Sequence, residues 1–173
     1  MCATAAVDRP FQPLLDWLMS EDVEYEIHEH DLAFTARATA TAEGIDPRTF
    51  AKVVGIVTDD GRSALVVLDA TDHVDMRKAR LALRAGEVRL LNEDDLTALA
   101  PGCEAGAIPA VGSLFGLPTY VDYAVRDDRD ISFNAGSHRF SVRVDRAGWE
   151  HACDPVYADL AADTDNRPAW ARS

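Results

Sequence analysis

The sequence uses very little lysine. Of its 17 basic residues only Lys52 and Lys78 are lysines, and all the others are arginines. Lys52 stands at the head of an apolar run, residues 53–57, where a chain that avoids lysine so strongly is expected to need an ammonium group. The alternative is an edge lysine whose long stem packs on the strand while its head reaches water. The sequence leaves both interpretations open.

Cysteine is also scarce. The chain has three cysteines, Cys2, Cys103 and Cys153, and this odd, widely spaced set argues against a disulfide framework. No CxxC motif occurs, so a structural zinc site is not expected. Cys103 is followed by Glu104, whose negative charge disfavours a thiolate, so the sequence does not favour a cysteine nucleophile.

Long apolar runs and the common nucleotide-binding motifs are absent. No stretch approaches the roughly 20 apolar residues that span a membrane. Residues 1–10 lack the basic and then apolar pattern of a secretory signal. These absences predict a cytoplasmic protein without a membrane partner. Neither GxGxxG nor GxxxxGK[ST] occurs, which argues against dinucleotide binding and against a phosphate loop.

Positive charge is outnumbered, and the formal net charge is −13. A surface of this sign repels nucleic acid, so any contact with RNA must be local. The one dense basic stretch comprises Arg77, Lys78, Arg80, Arg84 and Arg89, of which Arg77, Arg80 and Arg84 share a helical face. The pattern favours a solvated helix face, and a local RNA contact is the alternative.

The pattern of apolar residues predicts one domain, residues 1–153, and a C-terminal tail, residues 154–173, in which periodicity is lost. Helices are predicted at 10–20, 36–43, 75–85, 93–100 and 146–153, with strands at 23–28, 52–58, 63–68, 88–91, 119–125, 131–133 and 140–144. Thr35 and Asn92 are the expected N-caps. The tight turn Asp59-Asp60-Gly61 requires antiparallel pairing, which favours a mixed α/β or α+β sheet over a doubly wound fold.

Two patterns that contain histidine bear on metal binding and on nucleophilic catalysis. His28 and His30 lie on one face of a strand and make half of a metal site, but spacing provides no third ligand, so no metal is predicted. Ser137 and His138 are adjacent, and adjacent strand residues point to opposite faces, which argues against a Ser-His dyad. The loop 102–112, rich in glycine, can present backbone N–H groups to a developing oxyanion, and an ordinary surface loop is the alternative.

Four segments occur together in a fixed order. They are Ala51-Lys52 at the head of a strand, Gly106-Ala107-Ile108-Pro109-Ala110-Val111-Gly112, Val121-Asp122, and Phe133-Asn134-Ala135-Gly136-Ser137-His138. With them, the chain resembles the YbaK/aminoacyl-tRNA-synthetase-associated domain family over about residues 14–150. This is the family of free-standing trans-editing proteins related to the insertion domain of bacterial prolyl-tRNA synthetase. The family usually has a polar residue after the lysine, where this chain has Val53.

The resemblance implies a compact, barrel-like mixed β-sheet flanked by helices, and hydrolysis of a mischarged tRNA that carries a small amino acid. It implies no metal and no cofactor. The catalytic residues that it implies are Lys52, Gly106 and His138, and the substrate-binding residues are His30, Thr35, Ala107, Ile108, Pro109, Asp122, Asn134, Gly136 and Ser137. The implied partner is the 3′ acceptor end of an aminoacyl-tRNA, and an aminoacyl-tRNA synthetase is a second candidate partner.

In this mechanism Lys52 holds the terminal phosphate or ribose, and N–H groups of the loop that begins at Gly106 bind the carbonyl oxygen. His138 or Ser137 orients the ribose or a water. Because no carboxylate base is evident, a hydroxyl, amine or thiol of the substrate is expected to assist. Two other interpretations remain. One is a non-catalytic module that docks on a synthetase or holds an aminoacyl or nucleotide group, and the other is a regulatory protein with a vestigial pocket.

Overall fold

The computed structural model describes residues 8–163, which form five α-helices and two β-sheets. In chain order the elements are α1 (Gln12–Ser20), β1 (Tyr25–Glu29), α2 (Ala36–Glu43), β2 (Ala51–Thr58), β3 (Ser63–Asp69), α3 (Met76–Ala82), β4 (Val88–Leu90), α4 (Glu93–Leu99), β5 (Thr119–Asp122), β6 (Asp130–Ser137), β7 (Phe140–Asp145), α5 (Arg146–Cys153) and β8 (Val156–Ala158). Short 3₁₀ turns cover Ala105–Ala107, Gly112–Phe115 and Tyr123–Asp127.

The two sheets differ in strand direction. The smaller sheet has the order β1-β7-β6 and is antiparallel throughout. The larger sheet has the order β4-β2-β3-β5-β8, in which β5 runs parallel to both β3 and β8. The mixed α/β class expected from the sequence is therefore confirmed.

The barrel-like closure expected from the resemblance is not found, because the described residues form two separate sheets. Strand β2 already pairs with β3 along one edge, and β4 occupies its other edge over residues 56–58. The start of β2 does not pair with β4. Just before it, Phe50 makes a single parallel bridge to Ser132 of β6. A register shift in β6 between Asn134 and Ser137 interrupts regular pairing next to this point.

The main core lies between the sheets and the helices at the two ends of the chain. Leu14 and Leu18 of α1 and Trp149 of α5 are fully buried against Val67 and Phe133. The Trp149 indole donates a 2.9 Å hydrogen bond to the carbonyl of Ala110, which fixes the loop before β5. A second cluster lies on the opposite face of the larger sheet, where α3 packs on β2 and β3.

The helix ends follow local signals in the sequence. The Thr35 side chain accepts a hydrogen bond from the N–H of Ala38, and α2 ends at Gly44, whose φ of 70° suits glycine. Asn92 and Asp95 form a reciprocal capping box at the start of α4. Both predicted caps are confirmed, and α2 and α5 have the predicted bounds.

The segment predicted as a tail begins with β8, which pairs with β5. The buried Asp122 carboxylate accepts hydrogen bonds from the N–H groups of Leu160 and Ala161. Lys78 on α3 binds Asp159 and Asp163 at 3.0 and 2.9 Å. Residues 164–173 lie outside the described residues, and the boundary at 153 stays a prediction. Over residues 8–163 no helix combines the length and apolar character needed to cross a membrane.

Candidate functional site

A pocket of about 230 Å³ opens where four segments of the chain meet. Its lining comes from the start of α2, the head of β2, the loop before β5 and the middle of β6, and consists of Phe34, Thr35, Ala36, Ala51, Lys52, Val53, Val54, Gly106, Ile108 and Asn134. Five residues predicted as site residues, Thr35, Lys52, Gly106, Ile108 and Asn134, thus line one cavity.

Lys52 is the only charged residue in this lining. Its ammonium donates a hydrogen bond to the backbone carbonyl of Asp72. Burial lowers the pKa of the Lys52 ammonium below its usual value, and the charge of the Asp72 carboxylate opposes that shift. An ammonium in a partly dry site, with one proton engaged, is suited to binding an oxyanion with the other two.

The loop that carries Gly106 is tied to the end of β6. The N–H of Glu104 donates a 2.9 Å hydrogen bond to the carbonyl of Gly136. Gly106 is exposed at the pocket, whereas Ala107, Ile108 and Pro109 are buried behind it. Backbone thus faces the cavity where a side chain would otherwise stand.

His138 lies directly against Gly106. A Cβ built on Gly106 would lie 2.9 Å from Cε1 of the His138 ring. The ring is fixed by a 3.1 Å hydrogen bond between Nδ1 and the carbonyl of Ala33, and its Nε2 is 3.5 Å from the Glu104 carboxylate. His138 is 7% exposed, so it supports the pocket wall from behind rather than lining the cavity.

Asn134 contributes an unusual polar group. The residue is 6% exposed, and its side-chain oxygen has no hydrogen-bond partner among residues 8–163. An unsatisfied buried amide costs roughly 1–3 kcal/mol. Asn134 lines the pocket, and this oxygen is buried in the wall of the cavity.

Several predicted site residues lie elsewhere. Asp122 does not line the pocket, and its carboxylate binds the backbone of residues 124, 160 and 161. The buried ring of His30 lies 3.5 Å from the Glu43 carboxylate. Gly136 packs against Phe11, and Ser137 is fully buried with its hydroxyl oxygen accepting from the N–H of Arg139.

The surroundings of His28 and Cys103 bear on metal binding and on a cysteine nucleophile. His28 pairs with Glu26 at 3.4 Å, and no group of three metal-binding side chains occurs in the described part of the chain. Burial raises the pKa of the Cys103 thiol to about 12, which keeps it protonated at neutral pH.

Sequence reasoning missed three residues around the pocket. Phe34 lines it with 67% of its surface exposed, and its ring packs 5.0 Å from the His138 ring. Glu104 lies beside His138, and the backbone of Asp72 holds Lys52. A large exposed aromatic residue next to the helix cap Thr35 is the one signal that could have been found, since the other two contacts join distant parts of the chain.

Comparison with models of protein families identifies the family of this chain. A model described as the aminoacyl-tRNA editing domain matches residues 30–151. The match spans well over half of the sequence, so the chain belongs to the aminoacyl-tRNA editing domain family. The family membership that the four segments predicted is confirmed. No curated protein matches this sequence.

Solved structures share the fold at low sequence identity. The hypothetical protein APE2540 superposes with a TM-score of 0.79 at 15% identity, over 87% of this chain and 99% of that one. A candidate trans-editing enzyme for prolyl tRNA synthetase gives 0.75 at 19%, over 88% and 96%. A candidate signal transduction protein from Marinobacter aquaeolei VT8 gives 0.71 at 17%, over 91% of this chain and 32% of that longer one.

Proposed function

We propose that this protein is a trans-editing deacylase, which hydrolyses the ester bond of a mischarged tRNA carrying a small amino acid. The observation that carries the proposal is the convergence of Lys52, the backbone at Gly106 and Asn134 on one pocket. An aminoacyl ester presents a phosphate, a carbonyl and an ammonium to such a site. Family membership and the likeness to a candidate trans-editing enzyme support the same function.

Each group has a chemical task in this mechanism. A water molecule attacks the carbonyl carbon, and the carbonyl oxygen becomes an oxyanion that binds the N–H groups of Gly106 and Ile108. The N–H of Ala107 between them donates to the carbonyl of Glu104. The carbon–oxygen bond to the ribose then breaks, and the ribose oxygen takes up the proton that the attacking water has released. Lys52 offsets negative charge at the terminal phosphate or at this leaving oxygen. His138 positions the loop through its contact with Gly106.

The buried Asn134 side chain is proposed to turn toward the cavity, where its oxygen accepts a hydrogen bond from the α-ammonium of the aminoacyl group. Selection follows from volume. About 230 Å³ is the space of roughly eight water molecules, which suits an aminoacyl group with a short side chain and excludes a large one. The lining includes no carboxylate, so a polar group of the substrate or the ribose is proposed to assist the attacking water.

The absence of a carboxylate from the lining also favours a second candidate function, a non-catalytic module that holds an aminoacyl end or docks on a synthetase. Such a module binds its ligand in the same pocket and releases no amino acid. Turnover therefore separates the two functions.

The test is release of amino acid from a panel of tRNAs charged with alanine, cysteine or serine. Wild type is compared with Lys52→Met and with Lys78→Met, a control that removes the other lysine, which binds Asp159 and Asp163 instead of lining the pocket. A deacylase hydrolyses at least one substrate, loses about 100-fold or more in rate with Lys52→Met, and keeps its rate with Lys78→Met. Binding without release by wild type would establish the module.

A further inference from the structure

Three arginines at α3 lack acidic partners. Arg77 and Arg80 lie on α3, and Arg84 follows its end. In the described part of the chain none of the three forms a salt bridge. Five other arginines there do form one, and five more, Arg9, Arg37, Arg126, Arg129 and Arg139, do not. Arg77 and Arg84 are exposed and Arg80 is half-buried. These three residues are called the α3 arginine surface below.

This surface groups three arginines without a salt bridge within eight residues of a strongly acidic chain. The protein has 30 acidic residues against 17 basic ones, so an exposed arginine has many acids with which to pair. The neighbouring Lys78 does so, because its ammonium binds Asp159 and Asp163 in the segment after β8. The three arginines instead leave their charge facing solvent, where it is available to a polyanion.

The backbone at Arg84 adds a second observation. Arg84 has a φ of 52°, in the left-handed region that glycine commonly occupies after the end of a helix. Among residues 8–163, the two other non-glycine residues with positive φ are both aspartates, a type that tolerates this region better. An arginine held at a strained position points to a use for its side chain.

The larger sheet relates this surface to the pocket. Lys52 is directly opposite Leu68, so the two side chains emerge on the same face of the sheet. Leu68 belongs to the cluster in which Ala79 and Leu83 pack α3 onto that face. Lys52 also binds the carbonyl of Asp72, three residues before the N-cap of α3. Helix α3 thus adjoins the pocket wall that carries the ammonium.

We propose that the α3 arginine surface binds phosphates of the tRNA acceptor strand whose 3′ end occupies the pocket. The proposal rests on the function proposed above and names where the body of its substrate lies. Arg77 and Arg80 lie about 4.5 Å apart along the axis of α3, and Arg84 lies just beyond the end of the helix. Long arginine side chains at such short separations can contact neighbouring phosphates of one RNA strand.

The first measurement is the affinity for RNA as a function of salt. The probe is a fluorescently labelled, uncharged RNA hairpin that ends in a single-stranded CCA, followed by anisotropy. The double variant Arg77→Gln/Arg84→Gln is compared with wild type and with the control Arg129→Gln/Arg143→Gln. The control makes the same change in net charge at two exposed arginines that belong to a different surface depression.

The expected result concerns the slope of log affinity against log salt. Each lost phosphate contact lowers that slope by about 0.7–0.9. Between 50 and 200 mM salt, wild type should therefore lose about tenfold more affinity than the arginine double variant. The control should behave as wild type. A double variant with the slope and affinity of wild type would overturn the proposal, and this is the result expected if the surface serves a protein partner instead.

A second measurement keeps this proposal separate from the proposed function. Hydrolysis of a 3′-aminoacyl-adenosine, which has no acceptor strand, should be equal in wild type and the double variant, whereas hydrolysis of the full aminoacyl-tRNA should fall at subsaturating concentration. If no ester is hydrolysed by any variant, the deacylase function fails, and the salt dependence of hairpin binding still decides the arginine surface. A variant that loses activity equally on both substrates would contradict the proposed role.

Discussion

The Lys52 ammonium is held by the backbone carbonyl of Asp72, a residue 20 positions later in the chain. The bond joins the head of β2 to the segment that leads into α3. It uses one of three ammonium protons and fixes the group at the pocket. A long, flexible side chain is thus positioned before a ligand arrives, which reduces the entropy lost on binding.

Lys52→Met should separate activity from stability. The variant loses the hydrogen bond to Asp72 but also the unfavourable burial of a cation, so its free energy of unfolding should stay within about 1 kcal/mol of wild type. Urea denaturation, run beside the deacylation assay, measures this. A loss of more than about 3 kcal/mol would show that the lysine holds the fold, and a loss of rate could then not be assigned to the site.

Gly106→Ala should displace the His138 ring. The new Cβ would lie 2.9 Å from Cε1, and the ring cannot retreat freely because the Ala33 carbonyl binds it. Overpacking of this kind costs about 1–3 kcal/mol, and the shifted loop should lower the rate of deacylation by about 10- to 100-fold. Thermal denaturation and the deacylation rate measure the two effects.

The double variant Gly106→Ala/His138→Ala provides the control for that clash. If the ring is the obstacle, the two substitutions are strongly non-additive, and the alanine costs little once the ring is gone. Additive losses would mean that Gly106 is needed for another reason, such as approach of the substrate to the backbone.

Asn134→Leu should stabilise the protein while weakening ligand binding. The buried side-chain oxygen has no partner among the described residues, and its removal should raise the free energy of unfolding by about 1 kcal/mol. Affinity for a hydrolysis-resistant, amide-linked aminoacyl-adenosine should fall by about tenfold. Ser132→Ala, on the same strand and outside the pocket, is the matched control. A destabilised Asn134→Leu variant would show that the amide serves the fold.

Asp128 should make stability depend on pH near neutrality. Burial raises the pKa of the Asp128 carboxyl to about 7, with Arg146 opposing the shift and Asp127 and Asp46 adding to it. Because the ordinary value is 3.8, the folded protein binds this proton more tightly than the unfolded chain does. The carboxyl therefore lowers stability as pH rises from about 4 to about 7, and its full cost is present above pH 7.

Asp128→Asn removes this cost, so the variant should be more stable than wild type above pH 7, by about 1–2 kcal/mol after allowance for solvent contact. The difference should disappear near pH 4. Urea denaturation at pH 8, 6 and 4 measures it. A difference that is constant across these pH values would show that the carboxyl does not titrate in this range.

Arg84→Gly should stabilise the fold and weaken RNA binding. Glycine adopts a φ of 52° without the steric cost that arginine bears, so stability should rise by about 0.5–1 kcal/mol. Affinity for the RNA hairpin should fall at low salt, and the slope of log affinity against log salt should fall by about 0.7–0.9, as for one lost phosphate contact. Thermal denaturation and anisotropy report these separately, and unchanged RNA affinity would argue against the arginine surface.

Local signals were sufficient for most elements. Thr35 and Asn92 cap helices through contacts within three residues, and such signals are complete in the sequence. The predicted strand 119–125 stops early at Asp122, because that carboxylate accepts from the N–H of Ala124 and starts a 3₁₀ turn. The sequence contains this capping signal at Asp122, but the apolar residues on both sides of it favoured a longer strand.

Long-range relations were not predictable in the same way. Closure of a barrel depends on which strands pair with the second edge of β2, and β4 pairs with residues 56–58 of that edge, which no local pattern specifies. Residues that line the pocket were predicted better than the residues that hold them in place. Lys52 was predicted from the scarcity of lysine and Asn134 through the resemblance. The Asp72 carbonyl and the Glu104 carboxylate come from segments that only the folded chain brings near the pocket.

The segment after α5 has a consequence for how the chain folds during translation. Strand β8 and residues 160–161 come after every other strand, yet they satisfy the buried carboxylate of Asp122 and cover the edge of β5. Until this segment leaves the ribosome, a nascent chain has an unpaired edge on β5, and the Asp122 carboxylate lacks the N–H groups of Leu160 and Ala161. Ribosome-bound intermediates that stop before residue 156 should therefore be caught by chaperones and proteases more readily than longer ones.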